Sequence, residues 1–200
     1  MKLVLASRNR HKLQELQAIC TELGVEVLSE EDVGLDLDVE ETGTTFEENS
    51  LLKAQAVTKA SGLPAIADDS GLVVDALDGA PGVYSHRFGN QPDDLSRCRY
   101  LLDRLRDTDE EDCTARFVSV ITCLFPDGRK IVARGVCEGV IIREMRGSNG
   151  FGYDPVFYLP QFGRTFAELT AEEKNDVSHR GNALRIFAEK YKEMFPHDDK

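Results

Sequence analysis

A short apolar strand, a polar loop and an amphipathic helix open the chain, and that succession narrows the fold before any other feature does. Lys2-Leu3-Val4-Leu5-Ala6 reads as a buried strand. After Ser7-Arg8-Asn9, the residues Leu13, Leu16, Ile19, Cys20 and Leu23 recur along one face of a helix. Gly24 follows as a helix stop, and Val25 to Leu28 reads as a second strand. Strand, helix and strand in direct succession predict an α/β fold.

The alternation continues downstream. Ser29 to Thr42 is acidic and aperiodic, a loop or an irregular edge. Thr45-Phe46-Glu47-Glu48 fits a Thr-x-x-Glu capping box, so a helix is expected to about Ala60, with Gly62 as its stop. Pro64 to Asp68 reads as a strand and Leu72 to Ala76 as another short extended piece. Pro92 is expected in the first turn of a helix carrying Leu95, Cys98, Leu101, Leu102 and Leu105. Ala115 to Phe125 and Lys130 to Ile142 are rich in β-branched residues and flank Pro126-Asp127-Gly128, which predicts a long hairpin. A second capping box spans Thr170 to Glu173, and a final helix from Ser178 places Leu184, Phe187, Tyr191 and Met194 in the core.

Composition removes several functional classes. The 200 residues suit one domain, residues 1–200, with a substantial core. No apolar stretch approaches the roughly 20 residues of a membrane span, so no membrane partner is expected. MKLVLASRNRHK lacks the apolar run of a secretory leader. The five cysteines (Cys20, Cys98, Cys113, Cys123, Cys137) are widely spaced without a Cys-x-x-Cys, which indicates neither zinc nor a disulfide framework. A reducing, cytoplasmic setting is the expectation. The net charge of −12 argues against a nucleic-acid polymer as partner. It leaves room for a small phosphorylated ligand, held in one basic pocket or through a metal ion.

Five segments carry residues suited to such a ligand. Asp68-Asp69-Ser70-Gly71 reads either as a turn or as carboxylates for magnesium, with one of them as general base. Ser7 to Lys12 joins a strand to a helix start, where free N–H groups and Lys12 favour an anion, or form an ordinary cap. Gly150-Phe151-Gly152-Tyr153-Asp154-Pro155 is either a tight turn or a loop approaching a ligand, with Phe151 and Tyr153 as stacking rings. Lys174, His179 and Arg180 surround a helix start where cations oppose the dipole; they are either a solvated helix start or contacts to an anionic ligand. Glu40 and Glu41 are either a solvated acidic run before a helix cap or a source of a second metal carboxylate brought near Asp69.

The motifs S-x-N-x-x-K, E-E-T-G-x-T-F-x-E-N, A-D-D-S-G-L, G-x-x-G-F-G-Y-D-P and E-E-K-N-x-x-S-H-R occur in that order. Together they closely resemble the inosine triphosphate pyrophosphatase family, also called Ham1-like, over Met1 to about Phe195. The resemblance implies a two-lobed α/β structure with a long central mixed sheet flanked by helices, an active-site cleft between the lobes, and a homodimer. It implies magnesium-dependent hydrolysis of ITP, dITP and XTP to the monophosphate and pyrophosphate. Carried over by position, Ser7, Arg8, Asn9, Arg10, His11 and Lys12 match the triphosphate loop, and Asp69 matches the proton acceptor and metal ligand. Glu40 matches the second metal carboxylate, with Glu41 beside it in the alternative register. Ser70, Phe151, Gly152, Tyr153, Asp154, Lys174, His179 and Arg180 match substrate contacts. Two departures stand out: Tyr84-Ser85-His86-Arg87-Phe88 where the family reads Tyr-Ser-Ala-Arg-Tyr, and Asn149 where glycine is common. Arg87 is carried only as a further candidate contact.

Overall fold

The computed structural model describes residues 1–7, 10–109 and 112–196, and the elements follow the expected alternation. They are β1 (Lys2–Leu5), α1 (Arg10–Glu22), β2 (Glu26–Leu28), α2 (Phe46–Ser61), β3 (Ala65–Val74), α3 (Asp94–Arg104), β4 (Thr114–Leu124), β5 (Lys130–Ile141), β6 (Phe157–Leu159), β7 (Arg164–Thr165), α4 (Ala171–Val177) and α5 (His179–Met194). Short 3-10 turns cover Glu31–Val33, Asp75–Leu77, Gly82–Asn90 and Phe166–Glu168.

The strands hydrogen-bond in the order β2-β1-β3-β4-β5-β6-β7. β1 pairs in parallel with β2 and β3, while β6 pairs antiparallel with β5 and β7, so the sheet is mixed. β4 and β5 are neighbours joined by five residues, with Gly128 N–H donating to the Phe125 carbonyl at 2.9 Å. That connection is too short for a parallel crossover, so the pair is the expected hairpin.

Local chemistry sets the helix starts. Thr45 and Glu48 complete a capping box: the Glu48 N–H donates to Thr45 Oγ1 at 3.1 Å and the Thr45 N–H to Glu48 Oε2 at 3.2 Å. Gly62 ends α2 in the left-handed region, with φ +69°. Pro92 lies just outside α3 rather than in its first turn. The cap is Asp93, which takes the Ser96 N–H at 2.8 Å and so starts the helix at Asp94, beyond the proline.

Contacts divide the chain into two compact units, Met1–Asp69 with Ser119–Gly135 and Ala183–Lys200, and Ser70–Val118 with Val136–Asn182. In the first unit the sheet has two clothed faces. Leu3, Leu5, Ile66, Ile121 and Cys123 pack with α1 (Leu16, Cys20) and α5 (Ala183, Leu184, Phe187, Tyr191). Val4, Ala6, Ala65 and Ala67 pack with Ala54 and Val57 of α2. Alternate residues of β1 and β3 thus serve opposite faces, as the pleat requires. In the second unit Leu72 and Val74 join Cys98 and Leu101 of α3, and Leu105 just past its end, around Phe117, Phe157 and Phe166. The Phe117 ring stands edge-on to Phe157 at 4.7 Å and stacks on Phe166 at 5.6 Å.

The α4 box adds a pH-sensitive fastening. Glu173 accepts the Thr170 N–H at 2.8 Å and two Arg164 donors at 2.8 and 3.2 Å. The Arg164 hydrogen bond, then the Thr170 N–H, lower its pKa to about 2. A depressed carboxylate stabilises the fold above its unfolded value and loses that contribution as pH falls through its folded value. Glu173→Gln should therefore melt below the parent at neutral pH. The gap should narrow under about pH 4.5 and close near pH 2 in melts followed by circular dichroism.

Candidate active site

Asp68 and Asp69 do not sit in a turn. They lie inside the ten-residue strand β3, which replaces the two extended pieces expected on either side of Asp69-Ser70-Gly71. The chain stays extended because each carboxylate finds a partner without bending. Even-numbered Ile66 faces the α1 and α5 side, and odd-numbered Ala65 and Ala67 face α2. The same alternation sends Asp68 and Asp69 to opposite sides of the sheet.

Asp68 meets Lys12 of α1, with Nζ 3.1 Å from Oδ2, and its Oδ1 accepts from buried Ser119 of β4 at 2.8 Å. Asp69 meets Lys53 of α2, with Nζ 3.3 Å from Oδ1. Lys53 also holds Glu41 Oε1 at 2.7 Å and donates to the Asp68 carbonyl at 3.0 Å. The other Asp69 oxygen, Oδ2, is buried without a hydrogen-bond partner among the described residues. Burial, with Glu41's charge behind it, raises the Asp69 pKa despite Lys53. Burial opposes the Lys53 charge, but Asp69, Glu41 and Asp68 outweigh it and the Lys53 pKa is raised.

This arrangement brings Glu41, rather than Glu40, next to Asp69. Glu40 is exposed, whereas Glu41 is half-buried and joined to Asp69 through Lys53. Residues on an extended loop alternate in direction, and only the Glu41 register turns toward α2. Of the triphosphate-loop candidates, Lys12 is tied to Asp68 and Ser7 is half-buried at the end of β1. Arg8 and Asn9 lie outside the described residues, as do the side chains of Arg10 and His11.

A second group forms around residues 150–154. Asp154 is buried, takes the Phe151 N–H at 2.9 Å and pairs with Lys174 Nζ. Burial pushes the Asp154 carboxyl up; Lys174, the Phe151 amide and Arg180 pull against it without reversing it. Lys174 Nζ sits 4.7 Å from the Phe151 ring centre and 5.3 Å from that of Phe166. His179, buried at the start of α5, stacks on Phe117 at 4.8 Å, and Arg180 Nη2 reaches Ser70 Oγ at 3.4 Å. Ser178 Oγ caps this start by accepting the Gly181 N–H at 3.1 Å. Phe151 is 46% exposed, an open ring. Tyr153 departs from its expected role as a stacking ring: it is buried, and its hydroxyl donates to the Ser85 carbonyl at 2.7 Å. It anchors the loop from beneath.

The model of the Ham1 family matches residues 3–190. The chain belongs to the Ham1 family. A relative named dITP/XTP pyrophosphatase from Thermus thermophilus is 51% identical over 196 residues, covering 98% of this chain and 94% of that one. Another of the same name from Desulforamulus reducens is 47% identical over 200 residues, covering both chains entirely. The solved Ham1 protein of Staphylococcus aureus superposes with a TM-score of 0.90 at 40% identity, covering 97% of this chain and all of that one. That of Coxiella burnetii gives 0.91 at 43%, covering 96% and 99%.

Two departures from the family pattern acquire a local reason in this Ham1 chain. Asn149 donates its side-chain amide to the Leu169 carbonyl at 2.9 Å and its N–H to Ala167 at 3.0 Å, pinning the head of the 150–154 loop. Phe88 stands edge-on to Tyr100 at 5.1 Å, an apolar contact that needs no hydroxyl. His86 is exposed, and Arg87 lies 4.9 Å over the Tyr84 ring.

Sequence reasoning passed over Lys53, Ser119 and Asp94. Asp94 accepts the Gly152 N–H at 2.8 Å and so holds the same loop from α3. Lys53 was detectable as a lysine inside the arc of α2 defined by Asn49, Ser50, Ala54, Val57 and Thr58, all buried. Polar residues within that arc hid it.

Two outcomes test the geometry. Lys53→Met leaves Glu41 and Asp69 unopposed, and removing one member of a buried ion pair costs about 3–5 kcal/mol; chemical denaturation should show a loss of that order. A Cβ on Gly150 (φ +77°) would lie 2.0 Å from Asp154 Oδ2 and 3.2 Å from Lys174 Nζ. Gly150→Ala should therefore raise KM for nucleotide in steady-state assays and also lower the melting temperature.

Proposed function

We propose that the chain hydrolyses non-canonical purine nucleoside triphosphates, dITP, XTP and ITP, to the monophosphate and pyrophosphate. It would thereby clear aberrant bases from the precursor pool. One observation carries the reading: Asp69 is a buried carboxylate with one oxygen on Lys53 and the other without a hydrogen-bond partner among the described residues, which supports a role as general base. The near full-length relatives named dITP/XTP pyrophosphatase support the choice of substrate.

The donor set suits magnesium. Among the described residues no cluster of three or more acidic, cysteine or histidine side chains gathers. Asp69 and Glu41 provide two carboxylates, and magnesium is commonly held by one or two plus the substrate's phosphates. The open, buried Oδ2 of Asp69 is an atom such a cation would satisfy. When bound, the ion supplies charge stabilisation to the phosphate oxygens.

The remaining roles fall to the chain's own groups. Asp69 takes the proton of the attacking water. Ser7 to Lys12 hold the triphosphate, and Lys12 and Lys174 offset charge on the departing pyrophosphate. Both lysines are already paired with buried aspartates, so they are oriented before substrate arrives. Ser70, the 151–154 loop, His179 and Arg180 meet the sugar and base. Donors aimed at the 6-keto oxygen of hypoxanthine or xanthine would face the amino group of adenine. A desolvated mismatch of that kind rejects ATP strongly. A homodimer and a cytoplasmic setting complete the reading by family likeness; among the described residues no helix is long and apolar enough to cross a membrane.

Pyrophosphate release from ITP, dITP, XTP, dGTP and ATP, with and without magnesium, is the test. Metal-dependent turnover of the first three, with little of the last two, is expected. Asp69→Asn should lower kcat by about 10²–10⁴-fold while melting like the parent. Glu41→Gln should raise the magnesium requirement, and Glu40→Gln should not. Tight ITP binding without turnover would instead make the protein a nucleotide sensor.

A further inference from the structure

Asn49, in the Phe46-Glu47-Glu48-Asn49 stretch, has no part in the roles above. It is fully buried on α2, one turn before Lys53 and on the same face. A buried amide needs partners at both ends. At one end Oδ1 accepts the Gly43 N–H at 2.8 Å. Gly43 is two residues from Glu41, and its backbone lies close against α2. A Cβ there would fall 2.6 Å from Asn49 Oδ1 and 2.7 Å from Glu48 Cβ. At the other end Nδ2 has no hydrogen-bond partner among the described residues, and neither has Asp69 Oδ2. The amide and the carboxylate are neighbours, near enough for the Asn49 side chain to favour the Asp69 anion yet outside direct hydrogen-bond geometry, and such a pair can be bridged by one water or one ligand oxygen.

We propose that Asn49 is a positioning residue with two jobs. Its Oδ1 ties the Glu41 loop to α2, and its Nδ2 donates to the oxygen, that of a water, received at the open side of Asp69. The proposal deepens the hydrolytic reading and rests on it. It explains why an uncharged amide occupies the turn before Lys53: Oδ1 accepts from the loop and Nδ2 donates toward the carboxylate, which no aliphatic residue can do.

Asn49→Asp separates the jobs. It keeps the volume and an acceptor for Gly43 but loses the donor. Asn49→Ala loses both. The parent and both variants are compared by thermal melting, by kcat and KM for ITP, and by calorimetric titration of magnesium without nucleotide. Asn49→Asp should lose about 10–100-fold in kcat, the range for groups that orient a site's ligands, with KM within about twofold. Asn49→Ala should lose as much and also bind magnesium about tenfold more weakly, because the Glu41 loop is released. A role in packing alone would shift melting and leave kcat and magnesium affinity at parent values. Folded Asn49→Asp with parent kcat overturns the proposal even if Asn49→Ala fails to fold. A parent inert on ITP sinks the hydrolytic reading instead; unchanged magnesium affinity in Asn49→Ala would then overturn the positioning role as well.

Discussion

Consecutive side chains on a strand leave on opposite faces, and β3 carries two aspartates at consecutive positions. Adjacent carboxylates in a turn would repel at short range. In the strand each is directed into a different layer, where a different helix supplies its lysine: Lys12 from α1 for Asp68, Lys53 from α2 for Asp69. Both ammonium groups also donate to the one carbonyl of Asp68, at 3.2 and 3.0 Å, so the two layers are tied at a single backbone oxygen. No metal is needed to reconcile the pair. The asymmetry matters more: Asp68 is satisfied on both oxygens, and Asp69 keeps one open.

Burial and charge oppose each other at two buried aspartates, one in each unit. Asp69 and Asp154 each face a lysine, and each still has its pKa raised, because removal from water outweighs the nearby cation. Buried ion pairs of this kind add little net stability, since desolvation consumes most of the Coulomb attraction. Their value is geometric. Lys174 is held between Asp154 and the Phe151 and Phe166 rings, so its charge is presented at one place. Gly150 makes that possible by having no Cβ where Asp154 Oδ2 must lie.

The 150–154 loop is fastened from several directions by unrelated chemistry. Asp94 takes the Gly152 N–H, Tyr153 reaches the Ser85 carbonyl, and Asn149 reaches the Leu169 carbonyl. A loop whose backbone groups are satisfied by its own scaffold can offer Phe151 without losing its shape to solvent. The same principle holds at Glu41, where the amide of Asn49 and the ammonium of Lys53 hold an otherwise irregular acidic segment.

Much of the architecture was legible from local chemistry. Both Thr-x-x-Glu boxes, the left-handed glycine at the end of α2 and the hairpin turn rest on interactions within a few residues, and the strand–helix–strand opening shows in its apolar periodicity. Five ordered motifs likewise pointed to Asp69, Lys174, His179 and Arg180. What lay beyond reach depended on partners distant in the chain. That Asp68 and Asp69 continue a strand is decided by Lys12, Lys53 and Ser119, from separate elements. That Glu41 rather than Glu40 turns inward is decided by Lys53 and by the anchoring of Gly43 on Asn49. Lys53 of α2 drew no notice because composition cannot distinguish water from a buried carboxylate as the partner of a lysine. Residue type determined which groups were available; only tertiary packing decided which face each met, because facing is set by long-range pairing and by the pleat.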